Sequence, residues 1–149
     1  MLGELNSKQI EHILHSSIIG RIGCHAEDIT YVVPVTYAYD GTHVYGHTKD
    51  GMKIDMMRKN PIICFEVDVI DNMSNWRSVI AWGTFEELKT PYERKNAMNI
   101  LMDKVMPLMT GETTISHSMS DSHQSTIESM KGVVYRIELT KKTGRFEKT

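Results

Sequence analysis

The run Tyr31-Val32-Val33-Pro34-Val35-Thr36-Tyr37-Ala38-Tyr39, followed by Asp40-Gly41 and residues 43–47, constrains the fold more than any other segment. Tyr31, Val33, Val35, Tyr37 and Tyr39 recur with period two, and the run is rich in aromatic and β-branched side chains, so it reads as a strand. Asp-Gly is a hairpin signal, because tight hairpin turns need positive φ that these residues tolerate. The chain should turn there, return as a second strand, and pass through Gly51 into a helix. Pro34 falls mid-strand, where it has no N–H to give to a ladder. Its backbone belongs either at a plain sheet edge or beside a flat ligand, and the pattern admits both.

Other elements follow from caps and breakers. Asn6 is an N-cap that Gln9 can reach back to, and Leu5 can staple onto Ile10. Ile10, Ile13 and Leu14 then share one helical face. Residues 20–26 read as a first strand, with Glu27-Asp28 turning into the strand that holds Pro34. A short helix is expected over 52–60, burying Ile54 and Met57 and stopping at Pro61, with a buried strand over 62–67. A long strand spans 77–88, where Gly83 suggests a bend or bulge. Pro91 opens the longest helix, which ends near Met106 before Pro107, and the last strand covers 132–141. Residues 110–125, rich in Ser, Thr, His and Gly without periodicity, read as an exposed loop that could act as a lid. Six short strands with three outer helices predict a mainly β, antiparallel barrel and argue against a parallel α/β sheet.

A length of 149 residues fits one domain that can bury a core without staples. A net charge of −2 gives no electrostatic footprint for nucleic acid or an anionic membrane. Cys24 and Cys64 form no CxxC pair and read as small core residues in a reducing compartment. The N-terminus carries Glu4 and no long apolar run, so no signal peptide or membrane span is expected, and the location is expected to be cytoplasmic.

The chemical candidate is His47-Thr48-Lys49-Asp50-Gly51-Met52-Lys53. A hydroxyl, the free amides of a helix start and an ammonium together favour a phosphate. The competing account makes Asp50 a helix N-cap followed by a surface lysine. Other clusters carry less. His43 and His47 share a strand face about 13 Å apart, too far for one metal. His12 and His15 lack an acidic or cysteine partner and read as solvated, while His117 and His123 lie in the polar loop. No Gly-x-Ser-x-Gly elbow supports a hydrolase. Met98, Met102, Met106 and Met109 read as core and interface filler. Trp76 and Trp82 fit either a packed wall or the flank of a planar ligand.

Taken in order, Gly20-Arg21-Ile22-Gly23, Tyr31 to Tyr37, Val44-Tyr45-Gly46-His47-Thr48, Gly51-Met52-Lys53-Ile54-Asp55, Asn60-Pro61, Cys64-Phe65-Glu66-Val67-Asp68 and Arg77-Ser78-Val79-Ile80-Ala81-Trp82-Gly83 resemble a known family. They are similar to the pyridoxamine 5′-phosphate oxidase-like flavoproteins with the FMN-binding split barrel, closest to the nitroimidazole-resistance branch. The resemblance implies a six-stranded antiparallel split β-barrel that binds FMN. It places Val33, Pro34, Val35 and Thr36 beside the isoalloxazine ring, and His47, Thr48 and Lys53 around the phosphate. It brings Trp76, Arg77 and Ser78 to the flavin from the long strand. It also implies a homodimer with the cofactor at the interface.

Many relatives carry Arg where this chain has Met52, and a thioether cannot replace a bidentate guanidinium. Weaker FMN binding, or compensation by Arg21, Lys49 or Arg77, is the expected consequence. The implied activity is an FMN-dependent oxidoreductase taking electrons from a reduced nicotinamide to a small planar, nitroaromatic-like acceptor. A non-catalytic FMN or haem carrier, a deazaflavin-dependent reductase and a purely structural dimer without cofactor are the alternatives. Pyridoxamine phosphate oxidation itself is not expected, since Arg145 is the only C-terminal candidate for gripping a second phosphate.

Overall fold

The computed structural model describes residues 1–108 and 131–149. The loop expected over 110–125, with His117, His123 and the neighbouring Met109, lies outside the described residues. The elements are β1 (Leu2–Glu4), α1 (Ser7–Ser16), β2 (Ile19–Ala26), β3 (Ile29–Thr36), β4 (Ala38–Tyr39), β5 (His43–Thr48), α2 (Met52–Lys59), β6 (Ile62–Asn72), β7 (Asn75–Leu88), α3 (Pro91–Val105) and β8 (Val133–Glu147). One antiparallel sheet runs in the order β3-β2-β6-β7-β8-β5-β4, with β1 added to β8.

The expected mainly β split barrel is present, with eight strands among the described residues where six were expected. The two extra strands, β1 and β4, are three and two residues long, too short to show a period. The continuous strand expected over 31–39 is broken at Tyr37: β3 pairs with β2, whereas β4 pairs with β5. Alternation of burial fails at the same place, since Tyr37, Ala38 and Tyr39 are all buried.

That break shapes the barrel. β3 and β4 lie at opposite ends of the sheet path, yet only Tyr37 separates them in the chain. The sheet must therefore curl until its two ends almost meet, leaving a seam that no ladder of the described residues closes. Tyr37 fixes the seam from inside. Its N–H donates to Ile18 O at 3.0 Å, its hydroxyl donates to Leu14 O at 2.7 Å, and its ring meets Phe65 edge-on at 4.9 Å.

The core lies inside this curl. Ile22, Val35, Phe65, Val67, Val79, Ala81 and Ile137 point inward from alternating strand positions. α1 closes part of the barrel with Ile10, Ile13 and Leu14. Its capping box is as expected, with Asn6 and Gln9 bonded reciprocally at 2.9 Å. α2 adds Ile54, Met56 and Met57. α3, begun by Pro91 and capped by Thr90, packs Ala97 and Leu101 on Tyr45, Leu88 and Val134 in a second cluster. The irregularity expected at Gly83 is real, although the extra residue belongs to the partner strand: β7–β8 register slips between Trp82 and Gly83, leaving Thr140 unpaired. A Cβ on Gly83 would stand 2.1 Å from Glu138 O, so the slip requires glycine.

Replacing Tyr37 with Phe leaves Leu14 O without its donor in the core. Urea unfolding should show a loss of about 1–3 kcal/mol. An unchanged midpoint would mean that the seam does not depend on this bond.

Candidate functional site

Three backbone features converge at the seam. β3 is an edge strand, bonded on one side to β2, with Pro34 opposite Arg21. Its last residue, Thr36, lies next to β4, which pairs through Ala38 with Tyr45 of β5. β5 then continues through His47 and Thr48 toward Gly51 and α2. The end of β3 is thus linked through Tyr37 and β4 to the strand that leads into the 47–53 corner. Their side chains are not equivalent, however. Val33 and Val35 turn toward the core, whereas Pro34 and Thr36 are exposed.

The corner has the chemistry of an anion site. Lys53 Nζ donates to Thr48 Oγ1 at 2.9 Å, and among the described residues it has no carboxylate partner. The N-cap of α2 is Gly51, which offers no side chain to the first amides. Asp50 does not cap the helix. It pairs instead with Arg58 at 3.0 Å, which replaces the alternative in which Asp50 serves as N-cap. An ammonium, a hydroxyl and uncapped amides are a donor set that fits phosphate oxygens.

Several cations around the corner are already engaged. Arg58 holds Asp50, Asp55 and Glu87, Lys59 holds Glu27, and Arg21 holds Glu66 and Asp68. Arg21 is therefore not available to stand in for an arginine at Met52. Met52 itself is half exposed and lines a cavity of about 360 Å3 with Ala26, Ile29 and Met56. The corner is braced from β8. His47 Nε2–H donates to Lys131 O at 3.1 Å, and Arg94 donates from both Nη atoms to Gly132 O at 3.3 Å. Gly132 has φ +86° and a Cβ there would stand 2.7 Å from Thr48 O, so only glycine lets β8 start so close.

Trp76, Arg77 and Ser78 lie elsewhere. Thr48 is opposite Val133 on β8 and Ser78 is opposite Arg145. That separation is on the order of 40 Å of strand, beyond the reach of one mononucleotide. The three residues line a separate cavity of about 310 Å3 with Asp68, Ile70 and Met73, where the Trp76 indole N–H donates to Glu147 at 3.1 Å.

Other polar clusters were not apparent in the sequence. Arg21 Nη1 sits 3.4 Å from Glu66 and 3.1 Å from Asp68 on the outer sheet face. Burial, with the bond to Asp68 and its charge, pushes the Glu66 carboxyl up to about 7, while Arg21 pulls it back. Lys142 joins Glu11 and the Tyr39 hydroxyl near the His15 ring, so His15 is not simply solvated. Spacing gives no hint of these groups, because they meet only across strands and between α1 and β8. No group of metal-binding side chains occurs among the described residues, and none of their helices is long and apolar enough to cross a membrane.

An open, curled antiparallel sheet with an anion corner at its seam defines a split-barrel protein. Residues 6–146 match the model of the pyridoxamine 5′-phosphate oxidase family, and the chain belongs to that family. An uncharacterised protein of Rhizobium meliloti is 29% identical over 104 residues, covering 67% of this chain and 69% of that protein. A FAD-binding protein from Mesorhizobium loti is similar in structure, at 25% identity and TM-score 0.77, with 98% of each chain covered. A Bacteroides thetaiotaomicron structure described in terms of 5-nitroimidazole antibiotic resistance shares the fold at 18% identity and TM-score 0.74, covering 98% of this chain and 87% of that one.

The Glu66 carboxyl keeps its proton longer folded than unfolded, so its protonated form stabilises the fold. That contribution is complete below the ordinary carboxylate range and is lost as pH rises through about 7. Glu66→Gln should therefore gain stability relative to wild type between pH 5 and pH 8 in urea titrations. Parallel curves would show that Glu66 ionises normally.

Proposed function

We propose that this chain is a flavin-binding oxidoreductase that holds its cofactor by the FMN moiety, with the phosphate on Lys53, Thr48 and the start of α2. The observation that carries the reading is the Lys53 ammonium, which is bonded to the Thr48 hydroxyl and has no acidic partner among the described residues. Family membership and the similar Mesorhizobium loti FAD-binding protein support it. Val33 to Thr36 would border the ring, largely through the backbone, since their side chains alternate in direction. His47, oriented by Lys131 O, helps position the phosphate end.

A bound flavin supplies hydride and electron transfer, and the protein supplies position and exclusion of water. No side chain is assigned as a catalytic acid or base. The donor is a reduced nicotinamide and the acceptor a small planar nitroaromatic. For the acceptor the support is fold-level analogy with the Bacteroides thetaiotaomicron protein.

The working unit is a homodimer. Trp76, Arg77 and Ser78 lie too far from Lys53 in one chain to share its ligand, so a second copy would have to bring them. The outer sheet face supports such pairing. Val32, Gly23, Cys64 and Trp82 form one cross-strand row, and Val32, Ile62, Ile80 and Trp82 are 37–63% exposed there.

The purified protein should show a flavin absorption spectrum or acquire one with added FMN. Lys53→Ala should weaken FMN binding by about 1.5–3 kcal/mol, the scale of a charge-assisted hydrogen bond, while Lys8→Ala leaves it unchanged. Equal affinity would remove Lys53 from the site. Haem or deazaflavin bound instead would replace the FMN assignment, and a flavin-loaded protein that fails to reduce nitroaromatics would be a carrier. Sedimentation should show a dimer, and Trp82→Glu should convert it to monomer.

A further inference from the structure

We infer that the cavity between the start of α2 and the β2–β3 turn is an adenine subsite, so that the preferred flavin is the dinucleotide. The inference rests on the flavin reading above and refines which flavin is held.

Position comes first. Gly51 borders both this cavity and the anion corner, and Met52, which lines it, immediately precedes Lys53. A group joined through a second phosphate to one resting on Lys53 could enter here. The volume of about 360 Å3 is within the range of small-molecule sites. Its apolar wall is Ile29, Met52, Met56 and Ala26, and Ile29 and Met52 are 51% and 50% exposed. Two large apolar side chains left uncovered in one concavity offer a face for a flat ring. Thioethers suit it further, because they adapt in shape and make favourable contacts with aromatic rings. At the rim, Glu27 and Asp55 hold Lys59 and Arg58, and each carboxylate keeps lone pairs free for an exocyclic amine.

The test is fluorescence titration of the flavin-free protein with FAD, FMN and riboflavin. FAD should bind at least tenfold more tightly than FMN. Ile29→Ser combined with Met52→Ala, both at exposed positions, should erase that preference by weakening FAD about tenfold and FMN less than twofold. AMP should compete with FAD and not with FMN. FMN binding as tightly as FAD, or a double variant that weakens both equally, overturns the subsite while leaving the flavin reading intact. Failure of all three flavins to bind would bring down the flavin reading and the subsite with it.

Discussion

The fold turns on one residue, Tyr37, that belongs to neither strand beside it. It joins the two ends of the sheet path, and its amide, hydroxyl and ring are each engaged by a different part of the interior. A buried hydroxyl without a partner would cost more than it could return, and Leu14 O supplies the acceptor here. The consequence reaches the surface. Holding the sheet ends together without pairing them leaves β3 with an unbonded edge, and Pro34 is tolerated on that edge because no neighbour asks it for an N–H.

Pairing of charge, rather than its amount, picks out the candidate site. The chain is nearly neutral and scatters cations over its surface, yet most of those near the seam are matched. Arg58 ties the start of α2 to β7 through Glu87, and Lys59 fastens the other end of α2 to the β2–β3 turn through Glu27. Those contacts hold α2 in place. Lys53 differs because, among the described residues, its polar partner is a hydroxyl and no carboxylate pairs with it. The same helix thus provides both the rigid support and a cation suited to a phosphate.

Local signals are legible wherever a short window contains the cause. The Asn6–Gln9 box, the Asp40-Gly41 turn, Pro91 as helix opener and the disturbance at Gly83 all depend on residues within a few positions of each other. Strand ends were read less well. β6, β7 and β8 run past their expected limits, because their outer parts are held by pairing with one another, which no short window of residues such as Lys142-Thr143-Gly144-Arg145 announces.

Period, caps and charge type are written in neighbouring residues, so the strand-rich class, the helix starts and the corner at 47–53 follow from the chain alone. The three-dimensional fold divides the 31–39 run at Tyr37 and sends Asp50 to Arg58. It alone sets Trp76 a strand's length away from Lys53 and joins Glu66 and Asp68 through Arg21. Those outcomes depend on how the sheet curls and which strands become neighbours, and burial and pairing energies settle that over the whole chain at once.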